Sequence, residues 1–223
     1  MCVNDVLKIT ALFGDVPSYL QPLFSAADYP WELLPRLSAY IDALVENGIE
    51  GFHEIAPGVL AGEGVTVAAT ATIEAPAVLG AGTVLRPGAY LRGYVITGES
   101  CVIGNSTELK HCILLDRVQA PHYNYIGDSV LGCHAHLGAG AVCSNLKADG
   151  KAVVIHAAED IATGLRKCGG ILGDGADVGC GCVLNPGTVI GPRTAVYPLT
   201  ALRGVYPADS IVKAADTVVR RSV

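Results

Sequence analysis

Along most of this chain a beat recurs at every sixth position, and ten of its first twelve positions are aliphatic. The series runs Ile55, Ala61, Val67, Ile73, Leu79, Leu85, Leu91, Thr97, Ile103, Leu109, Leu115 and Pro121. The step then shortens to five twice, from Pro121 to Ile126 and from Ile126 to Leu131, and returns to six at Leu137. After an interruption it resumes at Leu172, Val178, Leu184, Ile190, Val196 and Leu202. Neither the 3.6 period of a helix nor the alternation of a hairpin gives this spacing; a hexapeptide β-helix does. Three hexapeptides make one triangular coil of about 18 residues, with strands of successive coils about 4.8 Å apart. Each coil buries its inner face only against its neighbours, so stability accumulates along the stack.

The pattern predicts an all-β solenoid with an α-helical N-terminal extension over residues 1–52. The β-helix is expected over 53–207, with an excursion at 146–170 and a C-terminal strand and loose basic tail at 208–223. About five coils fall in residues 55–145 and two more in 171–206. The stretch "YPWELLPRLSAYIDALVENG" reads as an amphipathic helix, with Pro30 in its first turn, Gly48 just past its end, and Leu33, Leu34, Leu37, Ile41 and Leu44 near one face. It is expected to cover an open end or a flank of the solenoid, because a bare coil end is an unpaired edge.

Composition narrows the function. No apolar run reaches the 18 or more residues that span a bilayer, and Asn4, Asp5 and Lys8 interrupt the N-terminal apolar stretch, making it a poor signal peptide. A net charge of −6 argues against nucleic acid as a partner. The 8 cysteines read as reduced thiols of a cytoplasmic protein. Cys101 and Cys182 fall at small inward positions. Cys180 and Cys182 lack the second C-x-x-C pair of a zinc site. Cys168, beside Arg166 and Lys167, reads as an inert loop thiol.

In such a coil, positions three hexapeptides apart share a face. Lys110 is 18 after Arg92, and His122 is 18 after Gly104 and 36 after Arg86. That arithmetic stacks Arg86, Gly104 and His122 in one column, with open space beside the imidazole at Gly104. The short step near "PHYNYIGD" deforms the coil at His122, Tyr123 and Tyr125.

The segment "TELKHCILLDRVQAPHYNYIGDSVLGCHAHLGAGAVCSNLKADGK" resembles the acetyltransferase half of the bifunctional glucosamine-1-phosphate N-acetyltransferase/uridylyltransferase family. The shared strings are "ELK", "HYNYIGD", "LGAGAVCSN" and a following lysine. The resemblance is specific over roughly residues 85–151. "TGLRKCGGILGDGADVGCGCVLNPGTVIG" resembles archaeal-type sugar-phosphate nucleotidyltransferase/acetyltransferase proteins.

The resemblance implies a left-handed parallel β-helix and an acetyl-CoA-dependent N-acetyltransferase acting on an aminosugar 1-phosphate, in UDP-N-acetylglucosamine biosynthesis. His122 matches the general base, and Asn145 an amide that holds the sugar or orients the reacting groups. Lys110, Tyr125 and Lys151 match sugar-phosphate ligands, and Ala139 a backbone contact to the acetyl-CoA arm. Arg86 lies in the family's "LRPGA" string, but Arg92 has the full-coil spacing to Lys110 and is preferred. Glu108 is a candidate to orient His122 or neutralise a lysine. His136 replaces a family asparagine near the sugar, so the acceptor can differ, galactosamine-1-phosphate being one option. The family's members are trimers, so a homotrimer is expected, and no metal is required.

Residues 1–50 are too short for a uridylyltransferase and lack a Gly-rich nucleotide loop, so the chain is not expected to make a nucleotide sugar. Two other readings compete. One is a non-catalytic hexapeptide scaffold or sugar-nucleotide-binding module. The other is a zinc carbonic anhydrase-like enzyme using His111, His134 and His136, although the His-x4-His pair of that class is absent.

Overall fold

The computed structural model describes residues 5–221. Asn4, at the interrupted N-terminal apolar stretch, and Ser222 and Val223, at the end of the tail, lie outside the described residues.

The chain winds into a parallel β-solenoid. Its three faces are parallel arrays of eight, eight and seven strands, each pairing with its counterpart one coil away, and one antiparallel strand caps each of the first two, His53–Ala56 and Thr217–Arg220. The first face runs from Val59–Ala61 to Val205–Tyr206, the second from Thr66–Val67 to Ser210–Ala214, and the third from Thr72–Glu74 to Ala201–Leu202. The inward column is apolar and buried. Leu79, Leu91, Ile103, Leu109, Ile126, Leu137 and Leu184 are fully buried in one cluster, and Cys101 and Cys182 fill its narrow positions. Each such aliphatic side chain stabilises the stack by about 1.5–3 kcal/mol.

Corners between faces take left-handed backbone. One corner column holds Tyr94, His111 and Asp128, with φ of 52°, 49° and 44°. The corner between the second and third faces holds Ser106, Tyr123, Gly140 and Gly181. Asp and Gly suit these positions better than β-branched residues do.

The register corrects the reading of the short steps. Leu91 opposes Leu109, a full three-hexapeptide coil later, but Thr97 opposes Leu114, one position short of a full coil. The first five-residue step therefore runs from Leu109 to Leu114, not from Pro121 to Ile126. Ala120 takes the inward position that Pro121 was expected to hold. Leu115 instead packs outward, with the residues under the N-terminal helices. The second short step, Ile126 to Leu131, stands where the sequence put it. Ile55 and Val67 are both 41% exposed. Ile55 lies in an antiparallel strand capping the first face, so the inward beat starts later than Ile55.

The N-terminal region covers a flank. Its helices are α1 (Ile9–Leu12), α2 (Gln21–Ser25) and α3 (Leu34–Asn47). The expected single helix is split: Pro30–Glu32 forms a 3-10 turn, Pro35 opens α3, and Gly48 ends it at φ 75°. Leu37 and Ile41 pack with Val78, Ile96, Ile113, Val130 and Ile171, the outward residues of the first face. That face is apolar on both sides because it is covered on both sides. Tyr19 Oη donates to Thr97 O at 2.7 Å. Asp174 accepts from Gly14 N at 2.7 Å and from Cys133 N at 2.8 Å.

The excursion leaves after Asn145 and returns at Gly169–Gly170. Leu131 pairs directly with Leu172 across it, so a loop is inserted without disturbing the stack. It carries an antiparallel hairpin, Val154–His156 with Asp160–Ala162. Cys168, expected in a loop beside cations, is fully buried, and burial pushes its thiol up to about 12. The expected loose tail is a hairpin, Ser210–Ala214 with Thr217–Arg220.

Candidate active site

The third face gathers the candidate polar residues. Across it, Glu108 lies between Tyr90 and Tyr125 in one outward row, and Lys110 opposes Gly127 in the next. Arg92 opposes Glu74 in that same row.

Asp128 is the hub of this surface. Its Oδ2 takes Lys110 Nζ at 3.4 Å, its Oδ1 meets His111 Nδ1 at 3.0 Å, and Asn145 Nδ2 donates to Oδ2. The side chain is 8% exposed. Burial raises its pKa, but the His111 hydrogen bond, the Lys110 charge and the Asn145 amide outweigh that and hold it below the usual carboxylate range. Burial first, then Glu108 and Asp128, push the Tyr125 phenol up, against the opposing pull of the Asn145 side chain.

Gly127 makes room for this arrangement. A Cβ there would lie 2.5 Å from Tyr125 Oη and 2.6 Å from Asn145 Nδ2. Lys110, Tyr125 and Asn145 therefore converge over a glycine floor.

His122 sits at the end of Gln119–His122, just before the corner into the third face and close in sequence to Tyr125. It opposes Asn105, not Gly104. Gly104 instead meets Pro121, whose carbonyl oxygen would be 1.6 Å from a Cβ there. The expected column of Arg86, Gly104 and His122 is thus Arg86, Gly104 and Pro121, and the open space assigned to Gly104 is filled. The cause is the earlier short step, which moves the next coil by one position.

Buried Asn124 fixes the backbone beside His122. Its Oδ1 accepts from His122 N at 3.2 Å, and its Nδ2 donates to Gly138 O at 2.8 Å. The imidazole is exposed and, among the described residues, has no hydrogen-bond partner. Exposed Ala139 lies one coil on, with Gly140 N donating to His122 O at 3.0 Å.

Arg92 and Glu108 share the third face with Lys110, and the remaining candidates lie elsewhere. Arg92 Nη1 pairs with Glu108 Oε1 at 2.7 Å, so Glu108 holds the arginine and not His122 or a lysine. Arg86 is exposed on the second face. His136 Nδ1 pairs with Asp177 Oδ1 at 2.7 Å on the same face. Lys151 is exposed in the excursion, and its side chain is in no ion pair among the described residues. His111, His134 and His136 are not brought together, and no group of three or more potential metal ligands occurs among the described residues.

No protein-family model matches the chain. It is 33% identical over 181 residues to the bifunctional protein GlmU of Methanococcus maripaludis strain C5, covering 79% of this chain and 44% of that protein. It is 35% identical over 153 residues to the bifunctional protein GlmU of Methanocaldococcus jannaschii, covering 67% of this chain and 38% of that protein. The chain is homologous to part of the GlmU proteins. It spans less than half the length of these curated relatives. Among solved structures, WeeI from Acinetobacter baumannii AYE is similar at 21% identity and a TM-score of 0.40, over 96% of this chain and 83% of that one.

Beside this GlmU homology stand residues that the sequence pattern did not single out, Asp128, Gly127 and Asn124, and His111, which it offered only as a zinc ligand. Asp128, Gly127 and Asn124 all lie in the "PHYNYIGD" string. The further signal was the even 17-position spacing of Tyr94, His111 and Asp128, which marks a corner column.

Proposed function

We propose that the chain is an acetyl-CoA-dependent N-acetyltransferase whose acceptor is an aminosugar 1-phosphate, glucosamine-1-phosphate or a close relative. One observation carries this reading: an exposed imidazole without a partner among the described residues stands one corner from an anchored cluster of ammonium, phenol and amide. A packed solenoid has no need of that set, and homology to the GlmU proteins supports the same chemistry.

In this mechanism His122 accepts a proton from the acceptor amine as its nitrogen attacks the thioester carbonyl. The N–C bond forms, the C–S bond breaks, and the proton passes to the leaving thiolate of coenzyme A. General-base help of this kind is worth about 10²–10⁴-fold. Holding amine and thioester together supplies much of the remaining acceleration. Lys110 and Arg92 face the phosphate, Arg92 with a planar fork suited to it. Tyr125 and Asn145 orient the sugar. Arg86, His136, Lys151 and Ala139 have supporting roles in this reading, at the rim of the acceptor site and along the acyl-donor arm. The assembly is a cytoplasmic homotrimer, with the acyl donor lying in the groove between solenoids.

The test is thiol release from acetyl-CoA over glucosamine-1-phosphate, galactosamine-1-phosphate and unphosphorylated glucosamine. Turnover is expected with at least one phosphorylated acceptor and not with free glucosamine. No release with any acceptor would refute the assignment.

A further inference from the structure

A cavity opens on the third face below Asn145. Its volume is about 710 Å³, and Ser144, Lys147, His156, Asn185 and Arg203 line it. Ser144, Asn185 and Arg203 are successive positions of one outward row, continuing the row of Lys110 and Gly127. The excursion hairpin supplies the side wall.

Arg203 is held in place for binding an anion. Its Nη2 lies 2.8 Å from His156 Nε2, and His156 Nδ1 lies 2.9 Å from Asp160 Oδ1. A guanidinium only donates, so His156 Nε2 accepts and its Nδ1 carries the proton to Asp160. The hairpin is locked against this strand: a Cβ at Gly204 would be 2.8 Å from His156 O. Among the described residues Arg203 forms no carboxylate ion pair, leaving most of its donors for the cavity. Lys147 is partly compensated by Asp149 at 3.4 Å. Asp149 lines the cavity too, so the uncompensated charge there is that of Arg203.

We infer that Arg203, with Lys147 and Asn185, forms a second phosphate-binding subsite, separate from the Lys110 cluster. Its ligand is a phosphoryl or pyrophosphoryl group on a molecule reaching down from His122. Along the stack, the coil of Arg203 is three steps from that of His122, or about 14 Å, and Arg203 lies five positions beyond the His122 column, across the third face. A long flexible tether such as the pantetheine arm between a coenzyme A thioester and its pyrophosphate would have to cross that face obliquely. A phosphorylated acceptor lying over Gly127 and Ser144 is the other source of the same chemistry. Only the ligand's identity rests on the transferase reading; the subsite does not.

Calorimetric titration of the full chain with coenzyme A, pantetheine and glucosamine-1-phosphate tests this, using the parent, Arg203→Gln and Lys147→Gln. Arg203→Gln is expected to weaken one phosphorylated ligand by about 10- to 100-fold and leave pantetheine unchanged. Lys147→Gln should weaken the same ligand less. Loss confined to coenzyme A makes its phosphates the occupant; loss confined to glucosamine-1-phosphate makes it the acceptor. Unchanged binding of both in Arg203→Gln, with an unaltered melting temperature, overturns the subsite. A chain that binds coenzyme A through Arg203 but transfers no acetyl group would refute the proposed function and leave the subsite standing.

Discussion

Lys110 Nζ lies 3.4 Å from Asp128 Oδ2, while the other oxygen of that carboxylate meets His111 at 3.0 Å. One nearly buried anion thus positions an ammonium, an imidazole and the Asn145 amide. Asp128→Ala should destabilise the fold by on the order of 2 kcal/mol, since charged hydrogen bonds of this kind are worth about 1–3 kcal/mol. Denaturant unfolding at pH 7 measures it. A change below about 0.5 kcal/mol would mean the contacts are incidental.

The same carboxyl carries a pH dependence. Its folded pKa is depressed, so its contribution is fully present above the unfolded value of about 3.9 and is lost as pH falls through the lower folded value. The stability gap between the parent and Asp128→Asn should be constant near neutrality and shrink below about pH 4. Thermal melts from pH 7 to pH 3 follow it. A gap that widens on acidification would contradict the assigned direction.

Gly127→Ala tests the convergence of Tyr125 and Asn145. The added methyl needs space within 2.6 Å of both side chains and must displace them. Transfer should fall by about 10- to 100-fold, because small misplacements near reacting groups are costly. The melting temperature should move little. Full activity in this variant would show that the two side chains do not act together.

Leu37→Ala probes the helical flank. Leu37 is fully buried between α3 and the first face, and such truncations cost about 2–5 kcal/mol. If the N-terminal region were a loose appendage, the global unfolding transition would not shift.

Much of this was legible from spacing. The hexapeptide beat pointed to a solenoid, and Arg92 and Lys110 fall in one row because the coil between them keeps its full length. The column of His122 was misassigned because period alone does not say which six-residue step lost a residue. Leu114 and Leu115 are both leucine, and each satisfies a hydrophobic beat. Only the covering helices explain why Leu115 is buried on the outside. Asp128 escaped notice because its role arises at a corner, where its side chain meets Lys110 and His111 of the preceding coil and Asn145 of the next.

The most direct test of the account is steady-state acetyl transfer to the best phosphorylated acceptor by the parent and by His122→Ala. The imidazole has no partner among the described residues, so its loss should leave the fold and the acceptor KM within about threefold. The account expects kcat to drop by roughly 100-fold or more. An unchanged kcat in His122→Ala would contradict it.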